Sequence, residues 1–478
     1  MVLGDQSRLT RGLTATLLAL PMVAAPTVVS VLSGAAPAQA EAHPPPGTDL
    51  EPVLGWSSWS FFRDTSDAAI DEAAARAMKH SGLARLGYRY INQDDFWYQC
   101  PGRRGPDVDR YGRWVTRPDN FPPGPGGENG IEVVASYVHR LGLKFGIYVT
   151  PGISDQAVAK NTPILGTHDT ADQIATKARQ NNYNCGGMTG INYARPGAQA
   201  YVDSVVKELA RWGVDYIKLD GITDKNTADI RAWSNAIRQQ GRPMQLDVTE
   251  GDYTIALGPT LDRYATQWEY TSDIENYGGE GLTDYSNAAK RFTTLALWEP
   301  RYGGRRFDGY NDFDSVEVGN CTNPVGSTSP FGSVSYPDGD GLTVRGRQTV
   351  LSLWSLASSP LILGTNLTKL CRADLRLLMN RAVLSVDQDG IDASMVVNTS
   401  TEKVIAKTER DGDVAVGLFN PTTKAELIST TASAIGLPAS GHYLLSNLWT
   451  HRRSRSGSTI SATVAPHGVA FYQVRKLR

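Results

Sequence analysis

Val214-Asp215-Tyr216-Ile217-Lys218-Leu219-Asp220 is a short, strand-like apolar run that ends in a carboxylate. Thr271-Ser272-Asp273-Ile274 repeats the arrangement further along, and Ile91-Asn92-Gln93-Asp94-Asp95-Phe96-Trp97 precedes both. Burying a carboxylate is costly unless it is paired or used. Acids at several successive strand ends therefore point to a barrel whose C-terminal face carries chemistry on a polyhydroxylated substrate.

Working outward, strand candidates fall at 53–59, 89–93, 144–150, 215–219, 244–248, 264–268, 309–312 (the weakest) and 361–364. Between them lie helical patterns at 68–80, 132–141, 198–212, 228–240, 285–297 and 346–357. Strand–helix alternation through eight strand candidates indicates an α/β fold, a (β/α)8 TIM barrel rather than an open sheet. The barrel is assigned to 50–391, ending near Gln388-Asp389-Gly390. Beyond it helical periodicity is absent. Runs at 403–408 and 413–418 flank an Asp411-Gly412 turn, and 442–448 and 468–474 also read as strands. Residues 392–478 are expected to form a C-terminal antiparallel β-sandwich domain. Two long segments rich in Gly, Pro, Ser and Asn, 151–196 and 321–341, follow barrel strands and are expected to wall the active-site face.

With 478 residues, 41% of them hydrophobic, the chain can bury one large core and one small one. Lys and Arg number 47 against 49 Asp and Glu, which gives no reason to expect nucleic acid or an anionic membrane surface as partner. Residues 1–40 read as an export signal: Arg8 and Arg11, an apolar run, then the small-x-small pattern Ala38-Gln39-Ala40. Prolines 21 and 26 and that cleavage pattern argue against a retained anchor, so a secreted, extracellular protein is expected, with no membrane association after cleavage. The four cysteines allow two disulfides in such a protein. Of three pairings, Cys100–Cys185 with Cys321–Cys371 is favoured because the first two follow strand candidates on one face; free thiols are the alternative. No CxxC or Cys/His cluster occurs and there are only seven His, so neither a metal nor a cofactor is expected.

Breaking a glycosidic bond takes one acid to protonate the leaving oxygen and one carboxylate to attack or stabilise the anomeric carbon. Asp220 and Asp273, on different strands, could flank one bond. Lys218 shares the inward face with Asp220 and would help keep it ionised. Asp94-Asp95 with Trp97 suits sugar recognition, since carboxylates accept hydroxyl hydrogen bonds and an aromatic face packs on a pyranose. Calcium is the rival ligand there, although a DxDxDG-type loop is missing. Trp56 and Trp59 would extend the aromatic lining or pack the core. Taken alone, each strand-end Asp would more often be a cap or a salt-bridge partner.

In this order the motifs resemble glycoside hydrolase family 27, the α-galactosidases, α-N-acetylgalactosaminidases and related retaining α-glycosidases. The resemblance covers most of 50–478. It rests on Gly55-Trp56-Ser57-Ser58-Trp59, Asp94-Asp95-Phe96-Trp97, Tyr216-Ile217-Lys218-Leu219-Asp220-Gly221, Ser272-Asp273-Ile274-Glu275 and Asn311-Asp312-Phe313-Asp314, with Gly142-Leu143-Lys144-Phe145-Gly146-Ile147-Tyr148 between. It implies that Asp220 is the nucleophile and Asp273 the acid/base. It also implies that Asp94, Asp95 and Lys218 bind hydroxyls and that Trp56 and Tyr148 line the pocket. Thr249, at the end of the fifth strand candidate, joins the substrate-binding set. Glu269 stands where galactosidases of the family usually carry Arg, and the loops after the third and seventh strands are longer than usual. The implied function is a retaining α-galactosidase acting on oligo- or polysaccharide. The alternatives are another glycone (a β-L-arabinopyranoside or an isomaltose unit), an inactive carbohydrate-binding homologue, or a structural barrel.

Overall fold

The computed structural model describes residues 51–249, 253–304, 309–329 and 332–477. The expected export signal and Glu250 lie outside the described residues.

Eight parallel strands form the central sheet: β1 (Leu54–Ser57), β2 (Tyr90–Gln93), β3 (Lys144–Val149), β4 (Tyr216–Leu219), β5 (Gln245–Val248), β6 (Gln267–Glu269), β7 (Tyr310–Asp312) and β8 (Leu361–Leu363). Their spatial order follows the chain, with β8 beside β1. The ring closes just beyond β7, where Val316 pairs in parallel with Leu363 and its N–H donates to the Ile362 carbonyl at 2.7 Å. Each strand is followed by a helix: α1 (Ala68–Ser81), α2 (Gly130–Arg140), α3 (Pro196–Arg211), α4 (Thr227–Gln239), α5 (Gly258–Tyr264), α6 (Tyr285–Trp298), α7 (Val344–Ala357) and α8 (Arg372–Leu378). A last helix, α9 (Arg381–Asp389), stops at Gly390, whose φ of 75° a residue with a Cβ adopts only with strain. All eight strand candidates are present. The short helix α5 and the pair α8 and α9 were not anticipated.

After the barrel come β9 (Ser394–Asn398), β10 (Lys403–Thr408), β11 (Val414–Phe419), β12 (Glu426–Thr431), β13 (Tyr443–Asn447), β14 (Arg453–Ser456), β15 (Thr459–Val464) and β16 (Val469–Lys476). Six make one antiparallel sheet in the order β9-β10-β11-β16-β13-β14, and β12 and β15 pair as a second sheet. Strand alternation divides the labour on β10. Val404 and Ala406 fill the core between the two sheets, whereas Ile405 joins the barrel core and Lys407 turns the same way. There the Lys407 ammonium donates to the Ser355 carbonyl at the end of α7 (3.2 Å) and to Val386 O (2.6 Å).

The long segments are ordered rather than featureless. Within 151–196 a three-stranded antiparallel sheet (Ile153–Ser154, Ala175–Gln180, Met188–Ile191) forms, and 321–341 holds a hairpin of Val325–Ser329 with Gly332–Tyr336. Both expected disulfides, Cys100–Cys185 and Cys321–Cys371, are present.

Candidate active site

A cavity of about 580 Å³ opens at the C-terminal ends of the barrel strands. Parallel strands of similar length deliver their last side chains to one rim. β2 leads to Asp94 and Asp95, β3 contributes Tyr148, β4 gives Lys218 and Asp220, and β6 ends on Glu269. The loop after β6 adds Asp273 and Tyr277, and Asp314 follows β7.

Asp94 is almost fully buried and accepts from Lys218 Nζ at 3.0 Å and Ser57 Oγ at 3.3 Å. Asp95 Oδ1 accepts from Tyr98 OH at 2.6 Å and from the Phe96 N–H at 2.7 Å, while Asn184 Nδ2 donates to its other oxygen. Burial pushes the Asp95 carboxyl up to about 7 despite those donors. Asn182 completes the network, donating to Tyr98 OH at 3.0 Å. Both asparagines come from 151–196, next to disulfide-bonded Cys185, so this segment is a cleft wall as expected.

Asp220 follows β4 directly, and Gly221, at φ 77°, turns the chain away at once. Thr249 Oγ1 donates to Asp220 Oδ1 at 2.9 Å. Burial raises the Asp220 carboxyl above its ordinary range; Lys218 is the strongest opposing influence, with Thr249 and Tyr148 acting in the same direction. For Lys218, burial alone would lower the ammonium, but Asp94, Asp220 and Glu269 outweigh it and push it well above its ordinary value.

Asp273 sits on an exposed stretch of the loop, yet that loop is firmly held. Tyr277 OH donates to Asp273 Oδ2 at 2.5 Å, and Trp59 Nε1 donates to Tyr277 OH at 3.0 Å. On one side Arg291 Nη2 donates to the Ser272 carbonyl at 2.7 Å; on the other the Ile274 N–H donates to Asp314 Oδ2 at 2.7 Å. Glu269 is buried, and burial together with Asp314 and Asp273 pushes its carboxyl well up. Carboxylate oxygens of Glu269, Asp273 and Asp314 all lie within 4.8 Å of one another, an arrangement able to hold a cation.

The structure therefore brings Asp94, Asp95, Tyr148, Lys218, Asp220, Glu269 and Asp273 onto one cleft. Thr249 reaches it through Asp220. Trp56 is not among the described lining residues: it is fully buried, with Nε1 donating to the Thr365 carbonyl at 2.8 Å. Trp97 likewise packs behind the site against Trp114 and Trp212 and donates to the Tyr148 carbonyl. The aromatic lining comes instead from Trp59, stacked on Phe96, and from Tyr183 and Tyr277. Among the described residues no side chain of 321–341 lines the cleft. That segment backs the acid/base loop, with the Leu282 N–H donating to Gly339 O and the Asp338 N–H to Glu280 O. Asp314, Glu275, Tyr183 and Tyr277 were missed as individual site residues. Asp314 carried the same strand-end signal as Asp220.

The melibiase family model matches 51–257, and the model of the α-galactosidase C-terminal β-sandwich domain matches 400–474. An α-galactosidase from Oryza sativa is 28% identical over 433 residues, 89% of this chain and 85% of the relative. One from Coffea arabica is 28% identical over 89% of this chain and 94% of its own. Among solved structures, a family-27 β-L-arabinopyranosidase from Geobacillus stearothermophilus in complex with arabinose is 26% identical, with a TM-score of 0.79 over 90% of this chain and 98% of that one. One family model over the first five barrel strands, another over the sandwich, and relatives matched over most of their length decide the assignment: the chain carries a melibiase domain of glycoside hydrolase family 27 with an α-galactosidase-type C-terminal β-sandwich, and is a glycoside hydrolase.

Proposed function

We propose that this hydrolase is a secreted, retaining exo-glycosidase that removes terminal α-D-galactosyl units. The observation that carries the reading is a single cleft lined by Asp220 and Asp273 together with Asp94, Asp95 and Lys218. Asp220 attacks the anomeric carbon while Asp273 protonates the leaving oxygen, giving a covalent glycosyl-enzyme. Asp273 then takes a proton from water, which releases the sugar with its configuration kept. Thr249 and Lys218 orient Asp220 and favour its ionised form. Tyr277, tied to Trp59, aims Asp273. Asp94 and Asp95 accept hydroxyl hydrogen bonds at the far end of the ring, and Lys218 donates. The α-galactosidase names of the relatives support the glycone, and residues 1–40 support secretion. The barrel is assigned to 50–391 and the sandwich to 392–478.

A β-L-arabinopyranoside is the second reading, favoured by the Geobacillus enzyme. Its ring has the configuration of an α-galactoside without the hydroxymethyl group. Initial rates on aryl α-galactoside, α-N-acetylgalactosaminide, β-L-arabinopyranoside and α-glucoside, with Asp220→Asn as control, decide between them. Preference for the α-galactoside, lost by about 10³-fold or more in Asp220→Asn, is expected. Preference for the arabinopyranoside would select the second reading, and undiminished turnover by Asp220→Asn would remove the assigned nucleophile.

A further inference from the structure

Carboxylates outnumber lysines seven to two among the cleft-lining residues. Both lysines are already engaged: Lys218 is 3.0 Å from Asp94, and Lys290 Nζ donates to Asn287 Oδ1 at 2.8 Å. The excess negative charge is concentrated on one wall, where carboxylate oxygens of Glu269, Asp273 and Asp314 lie within 4.8 Å of one another. Asp273 has the Tyr277 hydroxyl. Asp314 has the Ile274 N–H and, at 3.9 Å, the guanidinium of Arg291. Glu269 is different: it is only 4% exposed and its Oε1 has no hydrogen-bond partner. Asp314 is also held at φ 71°, a conformation rare outside glycine, by hydrogen bonds to its backbone from Trp354 Nε1 and into Asp312. Strain at a non-glycine residue that its surroundings enforce is a mark of a working site.

A compact cation with several donors satisfies such a wall, and an ammonium presents three N–H bonds from one nitrogen. A sugar hydroxyl presents one donor and no charge. The position on the sugar follows from the chemistry. Asp273 stands at the glycosidic oxygen, so its neighbours face the ring atoms next to the reacting carbon. One of those is the ring oxygen, which carries no substituent; the other is carbon 2. Asp94, Asp95 and Lys218 are left for the remaining hydroxyls.

We propose that the cleft takes α-glycosides of 2-amino-2-deoxy sugars, above all α-galactosaminides with a free, protonated amine, whose ammonium is held by Glu269 and Asp314. This rests on the reading of Asp220 and Asp273 as the catalytic pair and adds no new chemical step. Burial and the neighbouring acids raise both the Glu269 and the Asp314 carboxyls, although Lys218 opposes the shift at both and Arg291 at Asp314. An N-acetylated amine carries no charge, has a single N–H and is bulkier, so it does not meet the demand of the wall.

Calorimetric titration of the Asp220→Asn protein with methyl α-D-galactosaminide, methyl α-D-galactoside and the N-acetylated glycoside tests this at about pH 6, where a sugar amine is protonated. The galactosaminide is expected to bind at least about tenfold tighter than the galactoside. Adding Glu269→Gln should erase that preference, with the circular dichroism and melting temperature of the double variant as the control for folding. Galactoside binding as tight as galactosaminide, or a preference unaffected by Glu269→Gln, would overturn the proposal. If the wild type hydrolyses aryl α-galactosides without any amine preference, the proposed activity stands and this inference alone falls. An amine preference in a protein that hydrolyses no aryl glycoside would uphold the ammonium pocket and remove the catalytic reading.

Discussion

Lys218 sets the charge at both ends of the proposed glycone pocket. Its ammonium contacts Asp94 at 3.0 Å and is the strongest influence opposing the burial that raises Asp220. The acid limb of kcat/KM, which reports the free enzyme's base, is therefore expected above the usual carboxylate range. Lys218→Met removes the cation, so the limb should move to still higher pH, with kcat/KM at its optimum falling roughly 10²-fold from the lost hydroxyl contacts. Measuring the pH–rate profiles of both proteins checks this. A limb that stays in place or moves down would show that Lys218 does not tune Asp220. The same scale shows what a residue pattern conveys. Lys218 and Asp220 were legible because period-2 alternation puts them on one face of a strand. Trp56 and Trp59 were not separable, because the strand ends at Ser57 and a helical turn starts at Trp59. That change of period sends the first ring into the core and the second to the cleft.

The barrel elements were legible because their hydrophobic periods are long and regular, and their acid-tipped ends named the rim. The long segments were not, since strands of two to six residues between glycines carry little periodic signal. Nor does any sequence spacing disclose contacts that form only when loops meet. Glu275 after β6 and Glu317 after β7 are such a case. Both are buried, and none of their four carboxylate oxygens has a hydrogen-bond partner. Burial pushes Glu317 up to about 8, against about 4.3 for the unfolded chain. The folded protein thus holds this proton more tightly. The associated stability is fully present below about pH 4 and is lost as pH rises through about 8. Glu317→Gln should melt with the wild type at pH 4 and a few degrees above it at pH 9, read by calorimetric scans at both pH values. An equal or lower Tm at pH 9 would contradict the burial argument.

At the scale of the molecule, the β-sandwich seals the barrel rather than hanging from it. Helix α7 is buried nearly all round, Phe419 packs edge-on to Phe292 of α6, and Trp449 Nε1 donates to Ser352 Oγ at 2.9 Å. Lys407 is the polar centre of this seam, and burial lowers its ammonium below the ordinary lysine range. Lys407→Met would remove the ammonium donor from the Val386 carbonyl and leave the Ser355 carbonyl only the Ser358 N–H, at a cost of roughly 1–3 kcal/mol. Urea denaturation measures that loss, and an unchanged midpoint would mean that the seam tolerates an apolar side chain. The seam was legible only in outline: the sequence separates a helical from a strand-rich part but does not say which faces meet. The central claim, double displacement by Asp220 and Asp273 in this cleft, is tested most directly by the anomer first released. In ¹H NMR of aryl α-galactoside hydrolysis, followed before mutarotation, the account predicts that α-galactose appears first and β-galactose only later. Initial release of the β anomer would establish a single displacement and contradict the roles given to both carboxylates.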